Sequence, residues 1–206
     1  MGREATPAGT RRGRPRSERA RTAILEAAAE LLLLRGVGSV SMDAVAERAG
    51  VSKATIYRWW PSKEMLALDA LLDWAAARAP TRDTGSLRGD LLALVRPWVR
   101  EIRRAPFGRV IAAFVTEAQS DPAFAEAYRT QFVAPRREAM RAALTRAGER
   151  GEVPPDLDVE VAIDLIYGPL YHRLLHGHAP LTARFAESVV DMALAGIASG
   201  PAWGGE

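Results

Sequence analysis

The chain has 206 residues, of which 48% are hydrophobic and 26% charged, and a net charge of +3. That balance suits one large or two small domains around a buried core. The absence of cysteine excludes a disulfide framework, thiolate catalysis and thiolate metal sites. No apolar run reaches the roughly 20 residues of a membrane span. The arginine-rich start is not followed by a signal-peptide core, so a cytoplasmic protein is expected. The net charge hides an asymmetry. Residues 1–63 hold 12 Lys and Arg against 6 Asp and Glu, whereas residues 64–206 hold 16 against 19. A basic first third on an acidic remainder points to a polyanion partner for the N-terminal part, the alternative being a solvated basic tail.

Residues 1–16 show no periodicity and are expected to be a disordered basic arm. From Ser17 the pattern turns helical, with Ile24, Leu25, Ala28, Leu31 and Leu32 at three- and four-residue steps. Ser17 suits the N-cap and Gly36 the stop. Ser41 then caps a short helix over 42–49, closed by Gly50. Ser52 caps another over 53–60. Pro61 begins a third, which runs to 79. Residues 79–86, "APTRDTGS", form the clearest linker. Beyond it come helices over 87–104, kinked at Pro97, over 107–119, and over 122–150, bent near Pro135. After a loop at 151–158 come helices over 158–176 and 182–198. No alternating strand pattern occurs. The expected fold is all-α, with a three-helix unit over 17–62 and a helical domain over 63–206, joined by helix 63–79.

The stretch "AGVS" (Ala49 to Ser52) between two short helices is the turn of a helix-turn-helix. Gly50 supplies a left-handed backbone and Val51 tucks into the core. Val45, Ala46, Ile56 and Trp60 face inward. The opposite face of helix 53–60 carries Lys53, Ala54, Thr55, Tyr57, Arg58 and Trp59, as a helix entering a DNA major groove requires. Trp59 lies about 100° round the helix from Trp60 and points to that surface, or else lids the first helix. The Tyr57 hydroxyl and the Lys63 ammonium suit phosphates, Lys63 from the first turn of a helix whose free N–H groups also favour an anion. With the capping hydroxyls of Ser41 and Ser52, these residues are the expected DNA-contacting set.

The stretch "VSMDAVAERAGVSKATIYRWWPSKEMLALDAL" (residues 40–71) resembles the DNA-binding domain of the tetracycline-repressor (TetR/AcrR) family of bacterial transcription regulators, over roughly Ser17 to Leu72. The Trp59–Trp60 pair stands where many members have His-Phe or a similar pair. "QFVAPRREAMRAALTRAGERGEVPPDLD" followed by "LIYGPLYHRLLHG" is similar to one C-terminal subgroup of these regulators. The resemblance implies a homodimer with an inducer pocket in the second domain. In the arm, "RRGRPR" (residues 11–16) resembles an AT-hook core. Arg12 and Arg14 then suit a narrow minor groove, the alternative being sequence-blind attraction of a flexible tail.

Helices 158–176 and 182–198 are apolar nearly all round and lack enough partners in their own chain. A two-fold four-helix interface is expected, built on Ile163, Ile166, Leu170, Leu174, Val189, Met192 and Gly196, against the alternative of a larger monomeric core. Aromatics spread over the second domain suit an effector pocket lined by Trp98, Phe114, Tyr128 and Tyr171. Arg96 or Arg100 suits either an anionic effector or a solvated helix face. His172 and His176 lie four apart, with His178 nearby, but no carboxylate third ligand accompanies them, and no metal or cofactor is expected. Hydrolase elbows, P-loops and dinucleotide fingerprints are absent. The whole reads as a non-enzymatic, ligand-responsive regulator, most naturally a repressor on palindromic double-stranded DNA. The alternatives are a regulator without a small ligand, an activator, and a ligand-binding protein or enzyme with an idle DNA module.

Overall fold

The computed structural model describes residues 14–76, 83–104 and 106–198, and among these every regular element is helical. Helix α1 (Arg14–Arg35) starts three residues before the expected cap at Ser17. Pro15 stands in its first turn, where a missing N–H costs nothing. Arg14 therefore opens α1 instead of ending a free arm, while Arg12 lies outside the described residues. Gly36, at φ 84°, stops the helix, and a 3-10 turn (Val37–Ser39) follows.

Helix α2 (Met42–Ala49) is capped by the Ser41 hydroxyl, which accepts from the Ala44 N–H at 3.1 Å. Helix α3 (Lys53–Tyr57) is shorter than its sequence pattern suggests. The N–H groups of Trp59 and Trp60 both turn to the Ile56 carbonyl, at 2.9 and 3.0 Å, which tightens the exit and swings Trp60 inward. Helix α4 (Lys63–Ala76) opens at Ser62 and not at Pro61, because the Ser62 hydroxyl accepts from the Met65 N–H at 3.2 Å. Residues 77–79, expected to continue it, lie outside the described residues. Ile24, Leu25 and Leu32 of α1, Val45 of α2, Ile56 of α3, and Leu66 and Ala70 of α4 are buried in one core. Trp60 closes that core. Its indole N–H donates to Asp69 Oδ2 at 2.8 Å. Arg21 of α1 approaches the same oxygen at 3.9 Å and lies 5.8 Å over the indole.

The second part begins with α5 (Leu87–Ile102), which runs through Pro97 and ends two residues short of the expected 104. Helix α6 (Phe107–Ser120) follows, and Asp121 then caps α7 (Pro122–Tyr128). The expected single bent helix over 122–150 is instead α7, a π-helical turn (Arg129–Val133) and α8 (Ala134–Glu149). The cause is Pro135. It has no N–H to donate and its ring would strike the Gln131 carbonyl in α geometry, so the backbone widens by one residue just before it. Helices α9 (Val159–His176) and α10 (Ala183–Ala198) complete the fold. Helix α5 packs along α10, stitched by Arg88–Asp191 and Arg96–Glu187, each with a contact of 2.7 Å. Arg96 is thus engaged between helices, and Arg100 sits 3.5 Å from Glu101. Helix α4 meets the second part through α7 and through the Trp74–Phe107 ring contact at 5.6 Å.

Asp90, 1% exposed, ties the start of α5 to the end of α8. It accepts from the Thr84 N–H and hydroxyl, both at 2.7 Å, and from Arg146 at 3.2 Å. Burial pushes its carboxyl up, but the Thr84 and Arg146 hydrogen bonds outweigh that and hold it below the ordinary value. A depressed carboxyl gives stability that is present above its unfolded pKa and is lost as pH falls through the folded one. Asp90→Asn is therefore expected to weaken the fold by about 2 kcal/mol at neutral pH. The gap from wild type should narrow as pH drops below 3.8, the ordinary carboxyl value, in urea titrations run across acid pH. The paired tryptophans should separate in the same assay. Trp60, 3% exposed, should cost about 3–5 kcal/mol as Trp60→Ala. Trp59, 39% exposed, should cost about 1 kcal/mol or less as Trp59→Ala.

Candidate nucleic-acid surface and C-terminal cleft

The turn between α2 and α3 sets the surface. Gly50, at φ 65° and ψ 33°, takes the left-handed conformation. The Val51 N–H reaches the Ala46 carbonyl at 3.0 Å and the Gly50 N–H reaches Glu47 at 3.3 Å, a Schellman closure that fixes where α3 departs. Ile56 is buried against the core, Thr55 is half-buried, and Ser52, Lys53, Ala54, Tyr57, Arg58 and Trp59 are exposed. Ser41 and Lys63 are exposed as well.

These groups are partly engaged already. The Ser52 hydroxyl accepts from the Thr55 N–H at 3.3 Å and lies 2.9 Å from the Thr55 hydroxyl. Lys53 Nζ sits 2.8 Å from Asp43, and that hydrogen bond raises its pKa. Lys63, the first residue of α4, is 3.7 Å from Glu64. The Trp59 ring centroid lies 6.3 Å from that of Trp60, so the two indoles meet at the boundary between surface and core. A shallow open groove of about 770 Å3 runs between α1 and α2. Glu30 and Arg48 on its wall are paired with each other.

A second cavity, of about 300 Å3, lies where α7, the π turn, α8 and α9 meet. Tyr128, Val133, Arg136, Arg137, Asp164, Tyr167, Gly168 and Tyr171 line it. Of the four residues expected to line a pocket, Tyr128 and Tyr171 do so. Trp98 and Phe114 form a buried second layer. Trp98 packs 5.3 Å from Tyr171 and 6.3 Å from Tyr167, and Phe114 packs 6.4 Å from Tyr128. Their rings are consumed by packing, the usual fate of a buried aromatic. Phe124, Tyr128 and Phe132 stack, with centroids 6.3 and 5.1 Å apart. Arg136 covers the stack, 3.6 Å above Phe132.

Burial pushes the phenols up, Tyr167 to about 12, and Tyr128 and Tyr171 also upward. All three are neutral donors at physiological pH. Sequence reasoning missed Arg136, Arg137, Asp164 and Gly168. In "APRREAMRAAL" Arg136 looks like any solvated arginine. The one available signal was its place four residues after Phe132 and eight after Tyr128.

The expected dimer face is corrected by burial. Ile163, Ile166, Leu170 and Val189 lie in the protomer's own core, and Leu174 is half-buried. Residues consumed by packing on α6, α8 and α10 cannot meet a partner. Met192, 76% exposed, and Gly196 remain open on α10. On α9 the open face is a different one: Val161, Leu165, Gly168, His172 and Leu175, a helical stripe that includes Leu165 at 55% exposure. The His172 ring lies tilted against those of His176 and His178, with centroids 4.6 and 4.9 Å away. Among the described residues no group of His, Asp or Glu is arranged to hold a metal ion, and no helix is long and apolar enough to cross a membrane.

Comparison with known proteins accords with this architecture. Residues 24–70 match the family described as bacterial regulatory proteins, tetR family, and residues 81–193 match the tetracyclin repressor-like C-terminal domain. The HTH-type transcriptional regulator YdeS of Bacillus subtilis is 40% identical over 188 residues, covering 91% of this chain and 94% of its own. The DNA-binding transcriptional repressor TetR of Mycobacteroides abscessus is 34% identical over 178 residues, covering 85% and 92%. The crystal structure of the TetR family transcription regulator SCO0332 superposes with a TM-score of 0.77 at 39% identity, over 86% of this chain and 98% of that one. With a matching helix-turn-helix, a matching second domain and relatives that are transcriptional regulators over nearly their whole length, the chain belongs to the TetR family of bacterial transcriptional regulators.

Proposed function

We propose that the protein is a homodimeric repressor that holds a palindromic operator and releases it when a small molecule fills the C-terminal cleft. The observation that carries the reading is the exposed edge of α3, fixed by the Gly50 turn with Ile56 and Trp60 anchored beneath it. Lys53, Ala54, Thr55 and Tyr57 are offered to base edges and nearby backbone, as a recognition helix offers its N-terminal residues. Ser41, Ser52, Arg58 and Trp59 border them. Tyr57 and Lys63 take phosphates, and Lys53 exchanges Asp43 for DNA. The basic stretch that includes Arg12 is offered to an adjacent minor groove.

Two copies pair through the open stripe of α9 and through Met192 and Gly196 of α10, since an apolar stripe of this length has no other cover among the described residues. Coupling runs through α7. That helix touches α4 on one side and leads into the π turn beside the cleft on the other. A ligand that prefers one placement of α7 shifts α4, and with it α3, by no more than its difference in affinity for the two states. The setting of such a protein is the bacterial cytoplasm, on the nucleoid when DNA is bound.

Selection from random duplexes at near-physiological salt is expected to enrich one palindrome. A folded protein that enriches nothing would sink this reading. Lys63→Ala should reduce the slope of log affinity against log salt by about 2 per dimer, roughly one phosphate contact per protomer. Leu165→Glu combined with Met192→Glu should give a folded monomer in analytical ultracentrifugation, with operator affinity lost. A double variant that stays dimeric would place the interface elsewhere.

A further inference from the structure

Arg136 stands apart from the other charges at the cleft. Its neighbour Arg137 is neutralised by Asp164 and Glu160. Arg136 has no carboxylate within ion-pair distance among the described residues. Its guanidinium makes one hydrogen bond, to the Phe132 carbonyl one turn back at 2.6 Å, and otherwise lies on the Phe132 ring. A guanidinium carries five N–H donors in a planar fork, so most of its donor capacity is unassigned. The Trp98 indole N–H, one ring behind Tyr171, is buried without a hydrogen-bond partner, and the buried Tyr128 hydroxyl has only the neighbouring Tyr171 hydroxyl to turn to. The wall therefore combines one cation without a counter-charge and phenol hydroxyls with spare hydrogen-bonding capacity, framed by apolar and aromatic surface and backed by the unpartnered Trp98 N–H.

We infer that the cleft takes a small organic carboxylate with a flat aromatic or short aliphatic body, and that Arg136 is the partner of its charge. This rests on the reading of the cleft as the effector site. Sealing the cleft with a neutral molecule would strip water from Arg136 and leave its charge uncompensated. A cationic ligand would meet the same charge head-on. A carboxylate accepts two parallel N–H bonds from the fork and restores neutrality. The single uncompensated arginine matches a monoanion, since Arg137 on the same wall is already paired with Asp164 and Glu160. The surrounding phenols, held neutral by burial, are able to donate to carboxylate oxygen. A volume of about 300 Å3 is at the lower end of ligand-sized cavities, which limits the body to a single ring or a short chain.

The test uses the full-length protein with benzoate and hexanoate against their neutral amides, benzamide and hexanamide. Binding is read by calorimetry and operator occupancy by gel mobility. Each carboxylate is expected to bind about tenfold more tightly than its amide or better. Arg136→Gln should erase that preference, and Arg136→Lys, which keeps the charge but not the fork, should restore part of it. Tyr128→Phe should weaken the carboxylates a few-fold. Circular dichroism and urea unfolding confirm that each variant folds. Amides that bind as tightly as carboxylates, a preference that survives Arg136→Gln, or carboxylates that fail to bind at millimolar concentration each overturn the inference. A neutral compound that empties the operator would overturn the anion assignment and leave the effector-released repressor standing. A carboxylate that binds through Arg136 while the operator stays occupied would do the reverse.

Discussion

The burial of Trp60 is the constraint on which the rest of the molecule hangs. Its indole is too large to be covered by α3 alone, so α1 and α4 must close over it. The indole N–H, which would be costly to bury unpaired, is answered by Asp69 from α4, with Arg21 of α1 beside the same carboxylate. One side chain thereby fixes three helices relative to one another. The direction of α3 follows, and so does the start of α4 at Ser62, which places Lys63 beside the exposed edge. Trp59 is pushed outward by the same turn, since both indole-bearing residues donate their N–H groups to the one carbonyl of Ile56.

Helix α4 carries that arrangement into the second domain. It is buried on the side of the N-terminal core and meets α6 and α7 through Trp74 and its neighbours. The continuation of α7 is the least regular part of the helical framework. Pro135 forces a π turn, and Tyr128, Phe132 and Arg136, at four-residue steps through it, stack along the cleft. A π-helical turn is a local irregularity that proteins often keep at functional positions. Here it sits between the proposed ligand site and α7, which packs against α4. A well-packed interior transmits such a displacement instead of absorbing it.

The second domain also divides its apolar surface in two. One face of α9 is spent on the protomer's own core, and the opposite face is left open together with Met192 of α10. Gly168 belongs to both the open stripe and the cleft wall, so a partner resting on the stripe would lie at the mouth of the cavity. In the proposed dimer, ligand entry and subunit pairing share this border.

How much of this was legible without coordinates depended on the kind of signal. The all-α class, the short helix over 42–49, the Gly50 turn and the opposite fates of Trp59 and Trp60 rest on local rules. These are capping hydroxyls, a left-handed glycine and a spacing of four, and each acts within one or two helical turns of the residue that carries it. The exposed edge of α3 was readable for the same reason. The open face of α9 was not, because a helix apolar on every side has no moment to orient it; only the placement of α6, α8 and α10 decided which residues were consumed. Arg136 was hidden for a related reason. Nothing in a run of arginines distinguishes the one whose charge lacks a carboxylate partner, since that depends on where the carboxylates of other helices fall in space. The sequence by itself determined the local elements and the DNA-binding motif. The tertiary structure alone decided which apolar face stays open and which charge stays uncompensated, because both are properties of what the neighbouring helices leave uncovered.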